Sequence, residues 1–266
     1  MKILLLGHRE IASNVALSLV VSAMPQHRYV ITLSGDVQGS TAVPREIEEL
    51  AAFERTLCDE LDGMNILSFD RLAARIGSPI GTLAQLNTGD GLALLAELRP
   101  DLVISVRYRR ILREAAIAIP RHGVLNLHSG LLPRYKGMMA TFWAMLAGDE
   151  IIGSTLHYIV DGTIDTGPVV ACAPIPADRR RSYLANVLSL YPAGCRMIID
   201  AVNRIERGEA IACREQPEAG AYYSSPGHGE IRRFRDAGLR LFDGDELQQV
   251  IPELAHFGRQ SSPMPL

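Results

Sequence analysis

Short apolar runs alternate with amphipathic stretches along most of the chain. The apolar runs have the length and composition of buried strands, and the stretches between them have helical spacing. The predicted strands are Lys2–Leu6, Tyr29–Leu33, Met64–Phe69, Leu102–Val106, Val124–Leu127, Ser154–Val160 and Pro168–Ala173. The predicted helices are Ile11–Val21, Ile47–Leu61, Gly89–Leu98, Thr141–Ala147 and Ser182–Ile205. This alternation predicts an α/β fold with a doubly wound, Rossmann-like and mostly parallel sheet.

The pattern changes near Gly208 and divides the chain into two parts. Glu215–Gly229 is rich in proline, glycine and serine, which predicts an extended connection. Beyond it, Ile231–Ala237, Leu239–Phe242 and Asp245–Leu254 predict a helix, a strand and a helix. We expect a main domain over residues 1–207 and a C-terminal extension over residues 208–266. An appendage this small cannot bury a core of its own, so we expect it to pack on the main domain.

Composition and charge narrow the class of protein. Hydrophobic residues make up 47% and charged residues 21% of the chain, as in ordinary globular domains. The net charge of −3 disfavours a broad electrostatic surface for nucleic acid, although it allows a local basic patch. Since no apolar stretch approaches the length of a bilayer span, we expect a cytoplasmic protein that binds neither nucleic acid nor membrane.

The cysteines point to neither a metal site nor a disulfide framework. Cys58, Cys172, Cys195 and Cys213 form no CxxC pair and have no histidines at zinc-finger spacing. They are typical of core residues or free thiols in a reducing compartment. Composition carries no information on the oligomeric state.

The usual nucleotide-binding motifs are absent from the sequence. The first strand-to-helix turn, Gly7–Glu10, has one glycine where a dinucleotide fold requires GxGxxG. No GxxxxGK[ST] motif occurs anywhere in the chain, which excludes a P-loop.

Polar residues stand at the end of a buried strand in Gly123–Gly137, GVLNLHSGLLPRYKG. Asn126 and His128 lie two residues apart and therefore point to the same side of an extended chain. An unpaired buried polar group costs roughly 1–3 kcal/mol, so these groups either satisfy one another or line a site. In open α/β sheets, ligands bind at the carboxyl ends of strands.

A second polar segment, Asp161–Gly167, follows between two predicted strands. An aspartate beside a histidine orients the imidazole, and an amide donor completes a set suited to acyl transfer. Ser129 points away from Asn126 and His128, so the segment offers no nucleophile and we expect direct transfer to an external amine. We interpret His157 as a structural histidine.

These motifs resemble the signature of the 10-formyltetrahydrofolate-dependent formyltransferases. The resemblance rests on Asn126–Pro133 with Gly137, and on Asp161–Gly167 downstream. Tyr108–Leu112 is similar to the segment that lines the folate pocket in that family. The resemblance spans roughly Met1–Arg207 and implies that the main domain is a formyltransferase catalytic domain.

The resemblance also implies roles for individual residues. Asn126 would hydrogen-bond the formyl oxygen, His128 would stabilise its negative charge and move protons, and Asp165 would orient His128 and a water. The donor, 10-formyltetrahydrofolate, would lie against Ile111 and Leu112 and contact the main chain of Gly162–Asp165. The residues implied to hold it are Tyr108, Arg109, Arg110, Ile111, Leu112, Gly162, Thr163 and Ile164. The sequence departs from the family pattern at Gly130 and Met138-Met139. These departures concern the shape of the site where the acceptor would bind, and not the chemistry.

The acceptor is expected to be a small-molecule amine. Gly7–Glu10 is unlike the glycine-rich phosphate loop of glycinamide ribonucleotide transformylases. Residues 208–266 are fewer than the barrel domain of methionyl-tRNA formyltransferases requires. Met138–Trp143 is similar to the corresponding run in siderophore enzymes, which favours N5-hydroxyornithine of hydroxamate siderophore assembly.

The sequence leaves three further functions open. A nucleotide-linked 4-amino sugar is the second acceptor class, with Arg9, Arg134 and Lys136 as candidate diphosphate-binding cations. A formyltetrahydrofolate hydrolase would use the same residues with water in place of the amine. The third possibility is a folate-binding protein without catalysis.

Overall fold

The main sheet runs through the centre of the protein and has seven strands. The structure is a computed structural model that describes residues 1–35, 43–61, 66–83, 86–217 and 220–254. The sheet strands are β1 (Lys2–His8), β2 (Arg28–Ser34), β3 (Gly81–Thr82), β4 (Leu102–Val106), β5 (Val124–His128), β7 (Ile151–Ile159) and β8 (Val169–Pro176). Their spatial order is β3-β2-β1-β4-β5-β7-β8; β7 is antiparallel to β5, and β8 is antiparallel to β7. The predicted fold class is confirmed: this is a mostly parallel, Rossmann-like α/β sheet with flanking helices.

The helices cover the two faces because the strands are apolar on both sides. The helices are α1 (Ile11–Ala23), α2 (Arg45–Asp59), α3 (Phe69–Ile76), α4 (Gly89–Leu98), α5 (Glu114–Ile117), α6 (Ala140–Ala147), α7 (Tyr183–Ser189), α8 (Tyr191–Glu206), α9 (His228–Asp236) and α10 (Gly244–Leu254). Along β1, Ile3 and Leu5 enter the larger core cluster, whereas Leu4 and Leu6 enter the smaller cluster on the opposite face. This alternation follows from the period of two along an extended chain.

The strand register brings polar residues of three strands to one edge of the sheet. Ser105 of β4 pairs with Asn126 of β5, so the ends of these parallel strands lie together. On the other side of β5, the antiparallel β7 places His157 opposite Asn126 and Thr155 opposite His128. The site residues of β5 are therefore flanked by one parallel and one antiparallel neighbour.

Three predicted elements differ from the structure. The helix predicted over Ser182–Ile205 is two helices, because Pro192 stands in the first turn of α8 and lacks the N–H that a continuous helix needs. The strand predicted over Met64–Phe69 lies partly outside the described residues, and its last residue begins α3. The segment 239–242 is not a strand, and the carbonyl groups of Arg240 and Leu241 instead accept the N–H groups of Tyr183 and Leu184.

The residues after 207 return to the main domain. A two-stranded ribbon joins β6 (Tyr135–Gly137) and β9 (Ala221–Tyr223) in parallel. Further on, Phe234 stacks on Phe142 with ring centroids 4.4 Å apart, and Leu247 and Ile251 are fully buried in the larger core cluster. The extension therefore shares its core with the main domain.

Candidate active site

Asn126, His128 and Asp165 converge at the end of β5. The Nδ2 of Asn126 lies 3.4 Å from the Asp165 Oδ1 and donates to it, and the His128 Nδ1 lies 3.4 Å from the Asp165 Oδ2. The side chain of Asp165 is 9% exposed and that of His128 is 8% exposed. The two polar segments that are distant in sequence therefore meet in one buried cluster.

His157 is a fourth member of this cluster. Its Nδ1 donates to its neighbour's carbonyl, Tyr158 O, at 2.9 Å, because a carbonyl can only accept. Its Nε2 lies 3.0 Å from the Asn126 Nδ2 and 3.4 Å from the Asp165 Oδ1. From the sequence, His157 was interpreted as a structural histidine on a strand. In the structure, His157 directly contacts the Asn126 amide and the Asp165 carboxylate.

Asp165 is held ionised by its surroundings. Burial opposes ionisation, but the charge of His128, a hydrogen bond and charge from His157, and the Gly137 N–H outweigh it and lower the pKa of Asp165 to about 2. The Gly137 N–H donates to the Asp165 Oδ2 at 2.8 Å. Asp165 has a φ of 54°, in the left-handed region that few residues other than glycine, asparagine and aspartate adopt.

His128 has acceptors at both ring nitrogens. Its Nε2 lies 2.7 Å from the carbonyl oxygen of Tyr135, and its Nδ1 faces the Asp165 carboxylate. The two contacts hold the ring in one orientation between the Asp165 carboxylate and the Tyr135 carbonyl. Gly130 makes room for this ring, since a Cβ at position 130 would lie 2.7 Å from the His128 Nε2 and 2.5 Å from the Ala140 Cβ. The bulkier residue common in the resembling family would not fit here without movement.

The basic run after β4 is largely neutralised within the protein. Both Arg107 and Arg109 form ion pairs with Glu10, which is 2% exposed. Burial opposes ionisation of Glu10, but the charges of Arg107 and Arg109 lower its pKa to about 2. The third arginine of the run, Arg110, donates to the main-chain oxygen of Gly35 at 3.3 Å. The sequence did not anticipate this carboxylate, which fixes the turn between β1 and α1 to the end of β4.

The two segments expected to hold the donor lie side by side. A Cβ at Gly162 would be 3.8 Å from the Leu112 carbonyl oxygen and 3.9 Å from the Ile111 Cγ2. Ile111 and Ile164 are 45% and 36% exposed, so both present apolar surface at this place. Leu112, in contrast, is 4% exposed and belongs to the smaller core cluster.

Other side chains fix these two segments. Asn87 holds the Tyr108–Leu112 segment in place. Its Nδ2 donates to the Ile111 carbonyl oxygen, and its Oδ1 accepts from the Arg113 N–H, each at 2.8 Å. Tyr108 donates to Leu83 O at 3.3 Å. In the second segment, the Thr163 N–H donates to Asp161 Oδ1 at 2.7 Å, so this amide is used within the loop. The described residues contain no cluster of three histidine, cysteine, aspartate or glutamate side chains suited to a metal ion.

Within the part of the chain that the structure describes, no helix is both long and apolar enough to cross a membrane.

Comparison with known proteins identifies the family that the chain resembles. Residues 82–186, which include β4, β5 and the Asp165 loop, match the formyl transferase family model. The methionyl-tRNA formyltransferase of Acidothermus cellulolyticus is 35% identical over 154 residues, which cover 57% of this chain and 46% of that protein. The chain thus spans about half the length of the curated relatives that it matches.

Solved structures show the same fold. An N-formyltransferase from Helicobacter canadensis, in complex with folinic acid and dTDP-3-aminofucose, superposes with a TM-score of 0.60 and 17% identity over 90% of this chain and 83% of that chain. A sugar N-formyltransferase from a Shewanella species superposes with a TM-score of 0.57 and 14% identity over 96% and 87%. The formyltransferase resemblance predicted from the sequence is confirmed at the level of the family match.

Proposed function

We propose that this chain transfers a formyl group from 10-formyltetrahydrofolate to the amine of a small molecule. The match of residues 82–186 to the formyl transferase family supports this reaction class. The observation that carries the proposal is the convergence of Asn126, His128 and Asp165 in one buried cluster at the end of β5.

The residues present fit the formyl donor. Ile111 and Ile164 expose apolar side chains on neighbouring segments, which suits the flat, largely apolar face of a pterin. The donor supplies a formyl carbon whose carbonyl is open to attack by an amine. Transfer joins the acceptor nitrogen to the formyl carbon, releases the donor nitrogen, and moves one proton from the first nitrogen to the second.

Asn126 and His128 would stabilise the negative charge that develops on the formyl oxygen. Both are hydrogen-bond donors whose N–H groups already face protein acceptors: the Asp165 carboxylate for Asn126, and the Tyr135 carbonyl for the His128 Nε2. Binding of the formyl oxygen therefore exchanges at least one of these contacts. Hydrogen bonds of catalytic groups commonly reach their final geometry only with substrate bound.

Asp165 would keep the imidazole of His128 oriented. With a pKa lowered to about 2, its carboxylate stays ionised throughout the neutral range. This carboxylate faces the His128 Nδ1 at 3.4 Å and fixes the orientation of the ring that would donate to the oxyanion. Asp165 therefore acts through His128 and through any water that its carboxylate orients.

Two small-molecule amines are candidates for the acceptor of the formyl group. N5-hydroxyornithine is our prediction from the sequence of Met138–Trp143. The nucleotide-linked amino sugar gains support from the fold shared with sugar N-formyltransferases. Of its candidate cations, Arg9 pairs with Asp59 and Arg134 pairs with Asp149, whereas Lys136 is buried next to Gly137 in β6.

An amine panel with 10-formyltetrahydrofolate tests the proposal. The panel contains N5-hydroxyornithine, a nucleotide-linked 4-amino sugar, methionyl-tRNA and a reaction without amine, with tetrahydrofolate release and the mass of the product as readouts. A formylated small molecule supports the proposal, and the product identifies the acceptor. A product with methionyl-tRNA alone would overturn both the small-molecule acceptor and the expected absence of nucleic acid.

The same panel distinguishes formyl transfer from hydrolysis and from folate binding without catalysis. Tetrahydrofolate release without amine would indicate a hydrolase, and donor binding without release in any reaction would indicate a folate-binding protein. The cytoplasmic location expected from the sequence is a separate prediction, which cell fractionation checks.

A further inference from the structure

The side chain of Gln216 contacts the loop that carries Asp165. Its Nε2 donates to the main-chain oxygen of Asp165 at 3.0 Å and to that of Gly167 at 2.7 Å. Both partners are carbonyl groups, which only accept, so the amide nitrogen must face them. Gln216 lies beyond residue 207, in the extension that the sequence treats as a separate part.

The loop needs such a constraint because its backbone is strained. Asp165 has a φ of 54°, a left-handed conformation that residues other than glycine adopt only rarely, although aspartate does so more readily than most. At the next turn of the loop, a Cβ on Gly167 would lie 1.9 Å from the Tyr158 carbonyl oxygen, so Gly167 packs directly on the end of β7. Gln216 bridges these two positions and thereby limits the rotation of the peptide that follows Asp165.

A second contact of the extension supports the other half of the site. β9 pairs with β6, and the Met138 N–H donates to the Tyr223 carbonyl at 2.8 Å. β6 contains Gly137, whose N–H is the donor to the Asp165 carboxylate. Gln216 therefore contacts the loop that carries the acceptor of this hydrogen bond, and β9 contacts the strand that carries its donor.

We propose that Gln216 is a positioning residue for Asp165. By holding the main chain on either side of residue 166, it aims the Asp165 carboxylate at Gly137 N–H, His128 and His157. The expected effect of Gln216 on catalysis rests on the proposed function. The expected effect of Gln216 on the geometry of the Asp165 carboxylate does not, because that geometry exists without substrate.

The matched variant is Gln216→Met, which keeps the length of the side chain and removes both N–H groups. The Gln216 Oε1 is buried and accepts no hydrogen bond from the described residues. Gln216→Met therefore also removes an unsatisfied acceptor, and the global stability should change little. Gln216→Glu keeps the shape as well, but at neutral pH it presents a carboxylate to two carbonyl oxygens, so its effect should be larger.

Arg240→Ala is the control. Arg240 belongs to the same extension, and its Nη2 donates to the main-chain oxygen of Arg180 at 2.9 Å, near the start of α7. This variant removes a bond of the same kind, from a side chain of the extension to the main chain of residues 1–207, without touching the Asp165 loop. It should retain wild-type kcat.

Two measurements test the proposal. Amide hydrogen exchange at Gly137 reports the bond to Asp165 without any substrate, and in Gln216→Met it should become faster while the exchange of core amides in β1 is unchanged. With an accepted amine, kcat should fall about ten- to a hundredfold, more than the KM for the donor changes.

Each outcome decides the matter. If Gly137 exchange and kcat both stay at the wild-type level in Gln216→Met and Gln216→Glu, the positioning role is wrong. If stability falls and kcat recovers fully when the temperature is lowered, Gln216 only stabilises the fold, and the proposal is again wrong. If no amine is formylated by the wild type, the proposed function fails, and faster Gly137 exchange still supports the positioning role.

Discussion

His128 and Asp165 face each other across the end of β5, with the His128 Nδ1 3.4 Å from the Asp165 Oδ2. The other ring nitrogen lies 2.7 Å from the carbonyl oxygen of Tyr135. A carboxylate and a carbonyl on opposite edges of one imidazole fix the orientation of the ring. The ring is therefore fixed before any substrate binds, and the proposed acyl transfer would require such a preorganised group.

Asp165→Asn should reduce the formyl-transfer rate about a hundredfold or more at neutral pH. Asparagine tolerates the left-handed backbone of this position, so the loss would come from the missing charge rather than from strain. His128→Ala should cause a loss of the same order. Single-turnover kinetics with an accepted amine, together with circular dichroism to verify folding, measures both effects. Near-wild-type turnover in either variant would mean that the residue has been given the wrong role.

The Asp165 carboxylate should also make folding stability depend on pH. Its pKa lies at about 2 in the folded protein against a usual 3.8, so its contribution is present above pH 3.8 and is lost as the pH falls towards 2. The shift corresponds to roughly 2 kcal/mol in the free energy of unfolding. Urea unfolding of wild type and Asp165→Asn should therefore differ at pH 6 and converge near pH 2. Parallel curves over this range would contradict the assignment.

Ile111→Asp should weaken binding of the formyl donor. Ile111 is 45% exposed beside Gly162, and a charge there cannot be covered by a pterin without loss of its hydration. Leu94→Asp is the control, because Leu94 is 38% exposed on α4. Calorimetric titration with a folate should show weaker binding for Ile111→Asp alone. Equal affinities in the two folded variants would place the folate elsewhere. Leu112 is unsuited to this test, since it is buried in the core.

Glu54→Gln should stabilise the protein at alkaline pH. Burial, and then the nearby charge of Glu10, raises the pKa of Glu54 from 4.5 to about 8, despite the opposing charge of Arg107. A raised pKa of this kind stabilises the fold fully below pH 4.5 and loses that contribution as the pH rises through 8. The Tm of Glu54→Gln relative to wild type should therefore be higher at pH 9 than at pH 5. A difference independent of pH would indicate that Glu54 is ionised in the folded protein at both values.

Local sequence patterns predicted most elements and three members of the candidate site. Gly89–Leu98 and Leu102–Val106 were predicted with the bounds that the structure has. The spacing of Asn126 and His128 on one strand sufficed to place both on the same side, because side chains alternate along an extended chain. The polar segment Asp161–Gly167 was visible between two predicted strands, and the resemblance to the formyltransferase signature pointed to Asp165 within it.

His157 and Gln216 show where sequence reasoning stopped. His157 stands on a strand in a setting typical of structural histidines, and only the antiparallel register of β7 against β5 puts it opposite Asn126. Gln216 lies in an irregular, proline-containing stretch without periodicity, so no local pattern distinguishes it from a solvated loop residue. Its contact with Asp165 joins residues 51 positions apart.

Local periodicity and short motifs were enough to predict the α/β fold class and the position of most strands and helices, and the family resemblance suggested the proposed reaction class. These features depend on residues that are near one another in the chain. Three relationships emerged only from the folded chain: Glu10 neutralises Arg107 and Arg109, His157 joins the site, and Gln216 holds the Asp165 loop. The reason is physical: hydrogen bonds and ion pairs depend on distances between atoms, and distances between remote residues are set by the packing of the whole sheet.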